Sequence, residues 1–184
     1  MATVDIMGGG FHSVFGSGSA YVMDDNSSST LLVHGAGDIV HAGAGADHIF
    51  VIGGGAGDIH AGGGTDFISG GSGADHIFAS TTGGTDALTG GAGADTFDFH
   101  SGAGTHTVTD FNAGQGDMMA LAHNINSTGI VDQSTLTTYL NDPGHVTQVG
   151  ANVMIDLGHG DTLQVNNASA TDIMSHASTY FTVH

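Results

Sequence analysis

The chain of 184 residues is expected to fold as an all-β repeat protein, with short strands alternating with tight glycine turns. Three observations carry that expectation. Aspartates recur at Asp38, Asp47, Asp58, Asp66, Asp75, Asp86 and Asp95, with gaps of 9, 11, 8, 9, 11 and 9 residues. Of the 33 glycines, 21 fall between Gly35 and Gly104, clustered ahead of those aspartates. A large apolar residue (Ile49, Ile68, Ile77, Leu88, Phe97) stands two places after five of them. A fixed period of this kind marks a repeat array whose units bury their apolar faces only by stacking on one another.

The composition narrows what such an array can do. There are 18 acidic residues, all Asp, and no Lys, Arg or Cys, for a formal net charge of -18. Binding to a phosphate backbone runs on Lys and Arg, so nucleic acid is excluded as a partner, and anionic membrane surfaces are poor ones. Lysine Schiff bases, arginine clamps and any glutamate-based mechanism are equally absent. No run approaches the roughly 18 apolar residues of a membrane span, and residues 1–30 lack the basic and apolar regions of a signal peptide. Without cysteine no disulfide staples the fold.

Within the array the clearest units are Gly70-Gly71-Ser72-Gly73-Ala74-Asp75-His76-Ile77-Phe78 and Gly90-Gly91-Ala92-Gly93-Ala94-Asp95-Thr96-Phe97-Asp98. Both fit G-G-x-G-x-D-x-U-x, with U a large apolar residue. Residues 42–50 and 61–69 keep the Asp and the apolar residue, and the units around Asp38, Asp58 and Asp86 are degenerate. Seven phased units over residues 35–98 resemble the repeats-in-toxin (RTX) calcium-binding family. The resemblance implies a parallel β-roll, in which two nonapeptides make one turn and each supplies a loop and a short strand.

The residue chemistry fits that implication. Glycine serves where φ is positive or the backbone must approach an ion closely, here Gly45, Gly64, Gly73, Gly84 and Gly93. Calcium takes 6 to 8 oxygen ligands, more than one loop can offer, so loops of successive turns must share an ion. Asp38, Asp58, Asp75 and Asp95 should then line one edge, and Asp47, Asp66 and Asp86 the other, for about five Ca2+ ions. The apolar ladder is thin beside the ordering entropy and the carboxylate repulsion. Folding is therefore expected to be coupled to calcium.

The flanks read differently, and the expected divisions are 1–33, 34–104 and 105–184. In the first, Val14-Phe15, Tyr21 to Met23 and Leu31 to Val33 read as short strands, either degenerate coils capping the roll or an assembly surface. After the array, Thr107-Val108-Thr109-Asp110-Phe111 and Gly114-Gln115-Gly116-Asp117 are similar to the capping segment of type I secreted proteins. Asp110 and Asp117 are added as candidate ligands on that basis. A helix is expected over 133–141, with Leu136, Tyr139 and Leu140 on one face. Strands follow at 146–149, 153–157 and 162–165, then a short helix at 171–176 and a last apolar segment at 180–183. Residues 153–163 resemble a C-terminal secretion-associated region, which implies type I secretion machinery as a partner and an extracellular location.

The 13 histidines offer no HExxH, since Glu is missing, and most read as solvated surface. Protonating all of them would move the charge from -18 to -18 + 13 = -5, so self-association should respond to pH near 6 to 6.5. Asp5, Asp24, Asp25, Asp132, Asp142 and Asp172 lack the repeat context and read as surface. Ser72 is no nucleophile elbow, no catalytic residue is assigned, and the chain is not expected to be an enzyme. The leading expectation is a secreted structural protein that folds on extracellular calcium and polymerises with itself into a layer, filament or biofilm matrix. The alternative is a non-assembling calcium- or lanthanide-binding module, or the RTX secretion domain of a larger enzyme or adhesin.

Overall fold

The structure is a computed structural model describing residues 3–6, 8–23, 26–102 and 104–184. Asp24 and Asp25, expected at the surface, lie outside the described residues.

Thirteen short strands wind into the roll. They are β1 (Thr3–Ile6), β2 (Gly10–Phe15), β3 (Ala20–Met23), β4 (Ser29–His34), β5 (Ile39–His41), β6 (His48–Val51) and β7 (Asp58–His60). The winding continues through β8 (Phe67–Ser69), β9 (His76–Phe78), β10 (Thr85–Thr89), β11 (Thr96–Phe99), β12 (Thr105–Val108) and β13 (Met118–Leu121). Odd-numbered strands pair with odd and even with even, all parallel, so each coil spends one strand in each of two facing sheets. The even sheet turns antiparallel only within the C-terminal cap, beyond a last parallel pairing onto it. The parallel β-roll that the resemblance implied is thus the observed fold.

Alternation along each strand explains the core. One side chain per short strand points inward: Val40, Ile59, Ile77 and Phe97 in the odd sheet, Leu31, Ile49, Ile68 and Leu88 in the even sheet, all buried. The expected ladder of five is therefore longer, because β1 to β5 and β7 join it. Leu31, Val33, Tyr21 and Met23 are buried in the same register as the repeats that follow. Strands β1 to β4 thus continue the roll although they carry no good nonapeptide.

The cap follows α1 (Gln133–Asn141) with β14 (Val146–Val149), β15 (Asn152–Asp156) and β16 (Thr162–Val165), then α2 (Ala170–Ser175), α3 (Ala177–Tyr180) and β17 (Phe181–Val183). Helix α1 starts where Asp132 accepts the Thr135 N–H at 2.8 Å and Thr135 Oγ1 in turn accepts the Asp132 N–H at 3.0 Å, a reciprocal cap. Its Leu136 and Leu140 are buried while Tyr139 is half-buried, stacked on His145. Strand β16 docks on β12 and β17 on β13, so the cap closes both sheets at the same end.

Candidate metal centre

The turns between the two sheets stack in two rows, one along each edge of the roll. In the first row the pairing of β5, β7, β9, β11 and β13 aligns Asp38, Gly57, Asp75, Asp95 and Asp117. In the second, β6, β8, β10 and β12 align Asp47, Asp66, Asp86 and His106. The expected segregation of alternate aspartates to opposite edges is what the coiling produces.

One sequence assignment shifts, and one position of the rows was not foreseen. Asp58 pairs with Ile39 and His76, one place beyond the aspartate position, and is exposed. Gly57 holds the ligand position in that coil, so the Asp58 carboxylate points away from its row. The signal lay in the apolar residue: Ile59 follows Asp58 by one place, where every other repeat has two. Conversely, His106 takes the aspartate position of its coil, 20 residues after Asp86 and two before Val108, and sequence reasoning passed it over.

Each aligned carboxylate spends one oxygen on the backbone of the coil before it. Oδ1 of Asp38, Asp75, Asp95 and Asp117 accepts the N–H of Ser19, Gly57, Asp75 and Asp95, at 2.8 to 3.0 Å. In the other row Oδ1 of Asp47, Asp66 and Asp86 accepts from Ser29, Asp47 and Asp66, at 2.8 to 3.1 Å. These bonds lock the carboxylates in place and aim Oδ2 into the loop. Among the described residues, Oδ2 of Asp38, Asp75 and Asp95 is fully buried with no hydrogen-bond partner. A buried, unpaired anionic oxygen is costly, so these positions call for a cation.

The surrounding atoms suit calcium. A Cβ placed on Gly70 would lie 2.6 Å from Asp75 Oδ2 and 2.8 Å from the Gly90 carbonyl oxygen, so the space that glycine keeps open is ringed by hard oxygen. Gly45, Gly64 and Gly84 form one column and Gly73 and Gly93 another, and a Cβ on any of them would collide with a carbonyl group of the preceding coil. Gly64 and Gly93 have φ of 114° and 136°, which favours glycine; all five keep the loop carbonyls at close range. The donor set of carboxylates and carbonyls, without sulfur or imidazole, fits a hard cation.

Electrostatics agree with the geometry. Burial, then the neighbouring carboxylates Asp86 and Asp47, push the Asp66 carboxyl up to about 7. Asp75 rises to about 6 through burial and Asp95, and Asp95 and Asp117 are raised from the same causes. The rows crowd negative charge, and the chain has no lysine or arginine to neutralise it.

Three members depart from the pattern. Ser80 stands in a glycine-rich turn, its N–H on Asp86 Oδ2 at 3.0 Å and its Oγ donating to Asp66 Oδ2 at 3.3 Å. His106 Nδ1 lies 3.0 Å from Asp86 Oδ2, with both side chains wholly buried; the contact is one of distance rather than of hydrogen-bond alignment. Burial raises Asp86, but the adjacent His106 ring and the Ser80 N–H outweigh it and hold its carboxyl below the usual range. Asp110 is not aligned with the ligand row; it accepts the N–H groups of Gly90 and Gly91 at 3.0 and 2.8 Å, tying the cap to the last repeat. Asp117, by contrast, is in register, and its Oδ2 accepts the Asn112 N–H at 2.9 Å.

Comparison with known proteins agrees on the repeats. Residues 51–81 and 78–105 match the family model described as RTX calcium-binding nonapeptide repeat (4 copies). Over that stretch the chain is an array of RTX calcium-binding repeats wound as a parallel β-solenoid. No curated protein matches the chain. Among solved structures an extracellular lipase from Serratia marcescens aligns at 14% identity and a TM-score of 0.42, over 100% of this chain and 40% of the lipase chain. The chain thus spans well under half the length of that lipase, and the family match is to calcium-binding repeats, not to a catalytic domain.

Proposed function

We propose that this protein is a secreted, calcium-folded structural module that assembles with further copies of itself. The observation that carries the calcium reading is the set of buried, partnerless Oδ2 atoms on Asp38, Asp75 and Asp95 in a chain with no lysine or arginine. Successive coils carry an aspartate on both members in four pairs: Asp47/Asp66, Asp66/Asp86, Asp75/Asp95 and Asp95/Asp117. Each pair is one ion position, which lowers the expected number from about five to four. At the millimolar calcium of the extracellular medium, sites of this class fill, and binding becomes folding free energy. Inside a cell the same chain stays open, a form suited to type I export.

Assembly rests on the end of the roll that β1 and β2 form among the described residues. Strands β1 and β2 are the outer members of their sheets, and an unpaired strand is a template for a further one. Phe11 and Phe15 on β2 are 67% and 76% exposed, and Phe50, Ile52 and Phe67 lie exposed on the same sheet. Exposed apolar side chains gathered along one sheet mark a contact surface. Light scattering and electron microscopy with and without calcium test the reading. Polymers reversed by chelator support it, and a calcium-folded monomer at every concentration favours a binding module without assembly.

A further inference from the structure

Asp98 stands apart from the calcium rows. It follows Phe97 on β11, faces outward between the inward Phe97 and Phe99, and yet its side chain is only 4% exposed. Three imidazoles cover it. His184 Nε2 lies 2.9 Å and His100 Nε2 3.3 Å from Asp98 Oδ1, and His76 Nε2 lies 3.1 Å from Oδ2. His76 precedes Phe78 on β9, His100 directly follows β11 and His184 directly follows β17. Between the last two runs β13, whose Ala120 pairs with Asp98 on one side and Thr182 on the other. That small residue leaves the room in which the imidazoles converge.

We propose that Asp98, His100 and His184 form a site for a borderline transition-metal dication such as zinc, separate from the calcium loops. One donor atom from each, Oδ1 and two imidazole nitrogens, lies within 4.8 Å of the other two. Zinc with bonds of about 2.0 to 2.1 Å holds tetrahedral ligands roughly 3.3 Å apart. Closing the difference takes ring rotations of about an ångström, open to side chains that are 39% and 44% exposed. Nitrogen donors suit such an ion and not calcium.

The remaining neighbours complete the arrangement. His76 holds Oδ2, stacks on Phe78 at 4.0 Å, and so fixes the carboxylate with Oδ1 toward the other two rings, the usual task of an outer partner. A hollow of about 350 Å3, lined by His60, Gly62, Phe78, Ala79, Thr81 and His100, opens beside the site and leaves a fourth position to water. With its proton on Nδ1, each of the His100 and His184 rings offers the Nε2 lone pair to the ion. The bound ion would then clamp β17 to β11 across β13, a cross-link in a chain that has no cysteine.

The test is titration of the calcium-saturated full chain with Zn2+ by calorimetry, followed by Co2+ absorption to report the coordination geometry. The expected result is one equivalent bound at micromolar affinity. His100→Gln and His184→Gln should each weaken it at least 100-fold, His76→Gln about tenfold, and His12→Gln not at all. Circular dichroism of each calcium-loaded variant confirms that the roll persists, which exposed positions allow. Absence of stoichiometric zinc binding, or affinity indifferent to His100 and His184, overturns the site and leaves the three imidazoles as hydrogen-bond donors to Asp98.

Discussion

His106 occupies in its coil the place that Asp86 occupies in the coil before it, and its Nδ1 lies 3.0 Å from Asp86 Oδ2. An imidazole thus stands where the row would otherwise offer its next carboxylate, and the row of aspartates along this edge ends there. His106→Asp should extend the row and add one calcium ion to the stoichiometry. His106→Ala should instead lower stability by about 3 kcal/mol, the range for stripping a partner from a buried charge. Calcium counting by native mass spectrometry and denaturant melts of the calcium-loaded protein check the two outcomes. An unchanged ion count in His106→Asp would count against the register-based site assignment.

The aspartates themselves separate into those in register and those out of it. Asp95 belongs to two successive pairs and also accepts the Asp75 N–H, so Asp95→Ala should raise the calcium midpoint of folding most, by tenfold or more. Asp75→Ala should follow closely. Asp58→Ala, exposed and one place out of phase, should match Asp142→Ala in leaving the midpoint unchanged. Calcium titrations followed by circular dichroism decide, and a large effect at Asp58 would contradict the placement of Gly57 in the row.

Glycine substitutions probe the closeness of the coils. At Gly91, with φ of 104°, a Cβ would collide with the carbonyl group of Gly71 one coil back. Gly83, with φ of 64°, has open space around the same point. Gly83→Ala should cost about 1 kcal/mol through backbone strain alone. Gly91→Ala adds a backbone clash that cannot relax without separating two loops, and should exceed 3 kcal/mol or prevent folding. Similar melting temperatures for the two variants would mean that the loops are looser than the structure has them.

Much of this was legible in the sequence because the repeat writes itself in local spacing. The Asp period, the glycines ahead of it and the apolar residue behind it fix the coil, the edge and the inward ladder. Two things were not legible, for different reasons. Strands β1 to β4 join the roll without the nonapeptide, since Leu31, Val33 and Tyr21 need only alternate and stack to join the core. The imidazoles around Asp98 come from 22 and 86 residues away. Only the register of β9, β11, β13 and β17 brings them together, and no spacing rule announces it.

Protons and calcium should compete for the same carboxylates. Folding raises Asp66 to about 7 and Asp75 to about 6, mainly by burial and then by neighbouring aspartates, and raises Asp95 and Asp117 in the same direction. Between the unfolded value near 4 and these folded values the native chain holds protons that the unfolded chain has lost, so without calcium stability falls as pH rises from 4 to 7. His60 opposes this, since burial and then His41 lower its folded pKa, which favours the native state as pH rises; one half-buried ring stands against four carboxylates. Asp86, held low, gives its full stabilisation above the unfolded value and so adds no pH dependence between 4 and 7. In chelator the chain, open at neutral pH and above, should therefore gain native structure as pH falls toward 5. Calcium binds the ionised form, so its stabilising shift should be larger at pH 8 and accompanied by proton release at pH 6. Scanning calorimetry at both pH values, with chelator and with millimolar calcium, measures it; a calcium shift of equal size at the two would mean that the buried aspartates are not the ligands.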